Sequence, residues 1–260
     1  LAVLPLIFYA QYRSRRYMLS RTRWRGLRFG LDAAALGYVW RALLYFALSA
    51  VTLGLLIPLA TFRLEKYMTD RMWYGDANFE QQGQWWGLYP AMKHLLIALA
   101  VLVLGGAVGI FGSARGLGTV IIIAGSIWFL CGLVYYQVES FKYLTAHKLL
   151  DGTVRFTSNA SSHQVIGICV LGIILIAISS IVLSVVLGLV FGIVLASGGS
   201  ILNGGGAGIG IFAGAGVAVA LVAGLGYIAS LVLIGALVTV FISAPILGHY
   251  IDTLRVENAQ

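Results

Sequence analysis

The chain has 260 residues, of which 60% are hydrophobic and 10% charged, against about 45–50% and 25% in soluble globular domains. Mean hydropathy is +0.95, and residues 156–251, between Arg155 and Asp252, carry no formal charge. These figures exclude a water-soluble domain, because no solvated face is left to offset the apolar one.

They predict an all-α, polytopic membrane protein, a single transmembrane domain over residues 1–260, because about twenty apolar residues span the hydrocarbon as a helix. The net charge of +8 is concentrated: seven of the 17 Lys and Arg residues are arginines between Arg13 and Arg28, with no acid among them. Cys131 and Cys169 both sit in apolar stretches and read as packing residues. Two cysteines make neither a disulfide framework nor a zinc set.

In chain order, Leu1–Tyr12 is too short to span and has no basic segment before it, so it reads as the end of a helix. Val39–Phe62 is the first full apolar run, with Thr52, Gly54 and Pro58 inside it. A polar, aromatic-rich stretch follows from Arg63 to His94. Leu95–Gly112 and Thr119–Val138 form a helical hairpin around Arg115, and a second polar loop runs from Glu139 to Gln164. Val165–Ser197 exceeds one perpendicular span and must tilt, kink or continue. Gly198–Gly208 reads as a glycine-rich turn, and Ile209–Leu247 as a last long run stopped near Pro245. The count is five full apolar segments plus the partial first one.

Internal repetition is the most informative feature. Tyr17, Gly26 and Phe29 recur as Tyr67, Gly75 and Phe79, then as Tyr143, Gly152 and Phe156. A truncated copy starts at Tyr250-Ile251. The repeat-like units lie near 13–38, 63–94, 139–164 and 250–260, each directly after an apolar segment. The expectation is a helix leaving the membrane, a Tyr and cations at the headgroups, and a Gly turning the chain back toward Phe.

The segment Thr52–Pro58 (TLGLLIP) with Arg63, Lys66, Tyr67, Gly75 and Phe79, and RTRWRGLRF at Arg21–Phe29, resemble the YjgN-like bacterial inner-membrane family, a domain of unknown function. The likeness is strongest over residues 13–90. Leu59 stands where that family tends to have Trp, and the chain lacks the further N-terminal copy usual there. The resemblance implies a multi-pass protein of the bacterial inner membrane and supplies no activity, catalytic residue or cofactor.

Topology is open between two arrangements. If Val39–Phe62 crosses once, the positive-inside rule puts the arginines in the cytoplasm and leaves 63–94 outside. If the chain re-enters, bent at Thr52, Gly54 and Pro58, all repeat units share one side, which the repeat favours. Such a bend is tolerable only where other helices bury its backbone.

The sharpest partner expectation is anionic lipid. Arg13, Arg15, Arg16, Arg21, Arg23, Arg25 and Arg28 with Trp24 suit headgroups, at about 1 kcal/mol per basic residue near the surface. Setting orientation is the plainer role for the same residues. Nucleic acid is disfavoured, because no recognition module accompanies them. The glycines at 204–216 fail as a nucleotide loop: no Lys-Ser/Thr follows and no βαβ unit surrounds them. Gly210/Gly214 and Gly188/Gly192 read instead as small-residue pairs for close helix packing.

No nucleophile–base pair, paired carboxylates or metal-ligand spacing is visible, so neither an enzyme nor a cofactor is expected. The preferred function is a non-enzymatic membrane scaffold partnering other membrane proteins. The alternative is a passive transporter, channel or lipid-handling protein, which a pocket reaching the bend at Thr52–Pro58 would favour.

Overall fold

The structure is a computed structural model that describes residues 3–112, 115–203 and 209–257. Helix α1 (Val3–Arg21) leads into strands β1 (Arg23–Trp24) and β2 (Leu27–Leu31). Helices α2 (Ala35–Val51) and α3 (Ile57–Thr69) lead into β3 (Met72–Tyr74) and β4 (Ala77–Gln81). A short 3-10 turn at Trp85–Leu88 precedes α4 (Tyr89–Phe111) and α5 (Arg115–Ala146), which lead into β5 (Lys148–Leu150) and β6 (Val154–Ser158). Helices α6 (Ser162–Asn203), α7 (Ile209–Val238) and α8 (Ala244–Thr253) then lead into β7 (Leu254–Glu257).

The all-α expectation is therefore corrected. The chain is mostly helical, but among the described residues seven strands form one antiparallel meander in the order β1 to β7. Each strand is only two to five residues long, too short for a period-2 pattern to show in stretches that read as polar loops. Among the described residues, four helical segments are long and apolar enough to cross a membrane: Trp85–Ile110, Arg115–Ala146, Ser162–Leu189 and Gly224–Thr253.

The fifth expected run is divided. α2 and α3 are separated by a turn in which Leu53 (φ 51°) and Gly54 (φ 89°) take the left-handed conformation. Gly54 N donates to Ser49 O at 2.7 Å, and Thr52 Oγ1 accepts from Leu56 N at 3.3 Å, so the exposed helix ends are partly satisfied. Pro58 sits in the first turn of α3, where its missing N–H is harmless.

The chain packs as two compact units, residues 1–162 with 252–260, and residues 163–251. In the first, the core gathers under the sheet: Tyr12, Tyr38 and Tyr67 hold ring centroids 5.4–6.4 Å apart, packed with Leu31, Met68, Met72 and Phe79. α4 and α5 touch through glycines, and a Cβ on Gly118 would come within 2.6 Å of Gly109 Cα. In the second unit, a Cβ on Gly188 or Gly192 meets nothing among the described residues. Among the described residues, close helix packing through glycine occurs at α4–α5 and at Gly172 against Phe241 and Ile242; Gly188/Gly192 show none there, and Gly210/Gly214 carry no described side-chain surroundings.

Two further expectations change in the second unit. Gly198–Asn203 continues α6 rather than turning, and the rest of that segment lies outside the described residues. Pro245 does not end the last run: a π-helical turn at Thr239–Ser243 precedes it and α8 continues through it. Such a turn re-routes the carbonyls that a proline ring would otherwise strike.

Candidate functional site: an aromatic cup on the sheet

Each Tyr…Gly…Phe segment runs from a helix end through a β-hairpin, and the glycine sits at its tip. Arg25 (φ 48°) and Gly26 (φ 83°) are both left-handed, as a two-residue type I′ turn requires. Gly75 (φ 58°) opens the second tip, and Asp151 (φ 52°) with Gly152 (φ 68°) forms the third.

The register places the three phenylalanines on one face. Phe29 pairs with Tyr74, Phe79 with Leu150, and Phe156 with Val256; alternate residues along a strand share a face. Their rings form a continuous line: Phe29–Phe79 at 6.3 Å and Phe79–Phe156 at 6.0 Å, both near 30° between planes. Tyr74 lies 4.6 Å from Phe29, and its hydroxyl donates to Trp24 O at 2.7 Å, which ties the first hairpin tip to the second strand pair.

Near the tips this face opens as a cup of about 430 Å³, lined by Trp24, Leu27, Phe29, Leu150, Val154, Phe156 and Val256 among others. Arg25 is the charged residue in the lining, with its guanidinium 4.6 Å from the Trp24 ring centroid. The opposite face carries most of the sheet's charge: Arg23 stands opposite Arg28, and Arg155 opposite Glu257 in register, with Trp73 and the buried Leu149 as its apolar members.

The arginines expected at headgroups separate into groups. Arg23, Arg25 and Arg28 are exposed on the first hairpin. Arg21 lies over the Tyr17 ring at 4.8 Å and Arg13 over Tyr9 at 5.8 Å. Arg13 and Arg16 line a 350 Å³ cleft beside the start of α2. Arg15 turns inward and grips Glu65 with two 2.8 Å hydrogen bonds, so it is taken up within the fold.

Lys148 adds a third contact to Glu65, at 3.1 Å. Burial opposes the charge on Glu65, but Lys148 and Arg15 outweigh it and hold the carboxyl well below the usual carboxylate range. Composition and spacing gave no signal for this cluster, whose members lie 50 and 83 residues apart.

Of the three repeat tyrosines, Tyr17 alone stays exposed. Tyr67 is buried under Arg71, 3.7 Å from its ring, with its hydroxyl on Ala34 O at 3.1 Å. Tyr143 clasps Gln84, donating to its carbonyl at 2.9 Å and accepting from its N–H at 3.1 Å. Among the described residues, no group of three or more His, Cys, Asp or Glu is placed to hold a metal ion.

The model of a family described as "Bacterial protein of unknown function (DUF898)" matches residues 1–194. The chain belongs to that family. The DUF898 match takes in the three hairpins, the cup's first six strands and the α2–α3 bend, and it ends inside α6. No curated protein matches the chain, and no solved structure does.

Proposed function

We propose that this DUF898 member is a multi-pass protein of the bacterial inner membrane that handles lipid, taking an acyl chain into the cup while the arginines of the first hairpin meet its anionic headgroup. The observation that carries this reading is the cup itself. Its volume of about 430 Å³ falls within the ~300–1,000 Å³ usual for small-ligand sites, which are mostly apolar with a few placed polar groups. An open aromatic concavity is unfavourable in water, whereas a chain laid in it removes apolar surface at about 25 cal/mol per Å².

Placement supports the same reading. Every hairpin leaves directly from the end of a helix, and among the described residues all four helical segments of spanning length (Trp85–Ile110, Arg115–Ala146, Ser162–Leu189 and Gly224–Thr253) begin or end within a few residues of a strand. β2 and β3 are hydrogen-bonded neighbours, and no membrane can lie between paired strands. We therefore read α2–α3 as a re-entrant hairpin, the repeat-like units as recurrent helix-plus-hairpin modules, and the sheet as lying at the cytoplasmic surface under the positive-inside rule. A pure scaffold would not need the cup.

The test uses the full chain in nanodiscs of phosphatidylethanolamine and phosphatidylglycerol, with bound lipid read by native mass spectrometry. Val154→Trp fills the cup, and Arg25→Glu reverses the charge at its mouth. The expected result is retained phosphatidylglycerol in the parent, loss in the filled variant and clear weakening in the charge reversal. Unchanged lipid retention in a folded Val154→Trp protein overturns the reading and returns the scaffold.

A further inference from the structure

A second concavity in the same compact unit has a different chemistry. A cleft of about 620 Å³ lies along α3 and α5, with Ile57, Leu95 and Leu133 at its apolar part and Arg15, Glu65 and Lys148 in its charged part. Ile57 is the first residue of α3, directly after the bend. The intervening wall carries hydroxyls: Thr61 and Tyr136, joined by a 2.9 Å hydrogen bond, together with Ser140 and Thr145.

Two features of this wall are unexplained by folding alone. Ser140 is 4% exposed, and its hydroxyl, beside that of Tyr136, forms no hydrogen bond of ordinary geometry among the described residues; a group so poorly satisfied costs desolvation free energy for little return. Arg15 and Lys148, with side chains 28% and 18% exposed, share the single carboxylate of Glu65. The cluster therefore carries one uncompensated positive charge. A guanidinium offers five N–H donors and an ammonium three, and Glu65 takes two from Arg15 and one from Lys148.

We infer that the cleft is a binding site for a single-chain amphiphile with an oxyanion head, a phosphate monoester or carboxylate. The head accepts from Lys148 and Arg15 and from the Ser140 hydroxyl, and the chain runs toward Leu133 and Ile57. Charge-assisted hydrogen bonds in a partly dry cleft supply the affinity, and the head neutralises the surplus cation whose isolation is otherwise costly. This site is chemically separate from the cup, whose lining has no Lys, Ser or Thr.

The experiment titrates the full chain in detergent with oleoyl lysophosphatidate and, separately, with inorganic phosphate, reading occupancy by native mass spectrometry. Lys148→Gln removes one cation and leaves Arg15 paired to Glu65. Ser140→Ala removes that hydroxyl, and Leu133→Trp blocks the apolar part far from the ions. Lysophosphatidate affinity is expected to fall about tenfold or more in Lys148→Gln and severalfold in Ser140→Ala. It should also fall in Leu133→Trp, with every titration run in the Val154→Trp background so that the cup contributes no occupancy.

Inorganic phosphate that binds as tightly as lysophosphatidate, with Leu133→Trp silent for both, makes the site one for a free anion and overturns the amphiphile. Unaltered lysophosphatidate binding in Lys148→Gln overturns the site altogether. Should Lys148→Gln fail to fold, unchanged lysophosphatidate binding in both Ser140→Ala and Leu133→Trp does the same.

Discussion

Glu65 does more for the fold than its position in the sequence suggests. It receives Arg15 from α1 and Lys148 from β5 while standing on α3, so one carboxylate joins three stretches of chain. Glu65→Gln leaves two cations facing a neutral amide, and breaking one side of a largely buried ion pair costs about 3 kcal/mol or more. The unfolding midpoint in mixed detergent–SDS micelles should drop accordingly. The pH dependence follows in sign. Glu65 is held below its ordinary range in the folded chain, so its stabilisation is full above the unfolded value of about 4.3 and is lost as pH falls below that toward the folded value. Acid sensitivity in that window should be smaller in Glu65→Gln; equal sensitivity in the two proteins assigns it to other groups. The turn glycines at 26, 75 and 152 were legible in the sequence, because only a few residue types accept their φ, whereas Glu65 was not, since ion-pair partners so distant leave no local pattern. Gly30 was equally silent: it pairs with Trp73, and a Cβ there would collide with the indole, so Gly30→Val should disrupt the β2–β3 pairing and lower the same midpoint.

At the scale of elements, helices were legible and strands were not. Apolar runs of twenty residues announce themselves through hydropathy, while a three-residue strand such as β3 exists only because β2 and β4 flank it. Its stability is tertiary, and β-propensity says little without the neighbouring strand. Glycines in helices were legible as packing surfaces but not by address. Gly109 and Gly118 lie where α4 and α5 nearly touch, yet a side chain at Gly188 or Gly192 meets nothing among the described residues. Gly118→Leu should therefore force the α4–α5 hairpin apart, lowering stability by about 1–3 kcal/mol as overpacking does, and Gly188→Leu should be tolerated. Unfolding midpoints of the two variants, compared in one detergent, decide it; similar losses in both would place the close contacts of this chain elsewhere.

For the whole molecule, the decisive constraint is that a meander cannot be divided by a bilayer. Seven strands in sequential order collect the ends of α1, α3, α5 and α8 into one sheet, so the number of crossings between successive hairpins must be even. On the proposed reading, α4 and α5 satisfy this as a pair of spanning length, α6 and the segment Gly224–Thr253 supply another, and α2–α3 satisfies it by bending at Leu53 and Gly54. Composition could state that Val39–Phe62 was apolar, but only the β2–β3 pairing argues against a single crossing. With Cys131 and Cys169 replaced by Ser, single cysteines at Asp76, at the tip of the second hairpin, and at Thr153, beside the third, should react alike with a membrane-impermeant maleimide. Both should be protected in sealed cells and labelled in inverted vesicles, as the arginines of the first hairpin require under the positive-inside rule. Residue 76 labelled from outside while 153 is protected would mean that α2–α3 crosses once. The sheet, the cup and the lipid reading built on it would then fall together.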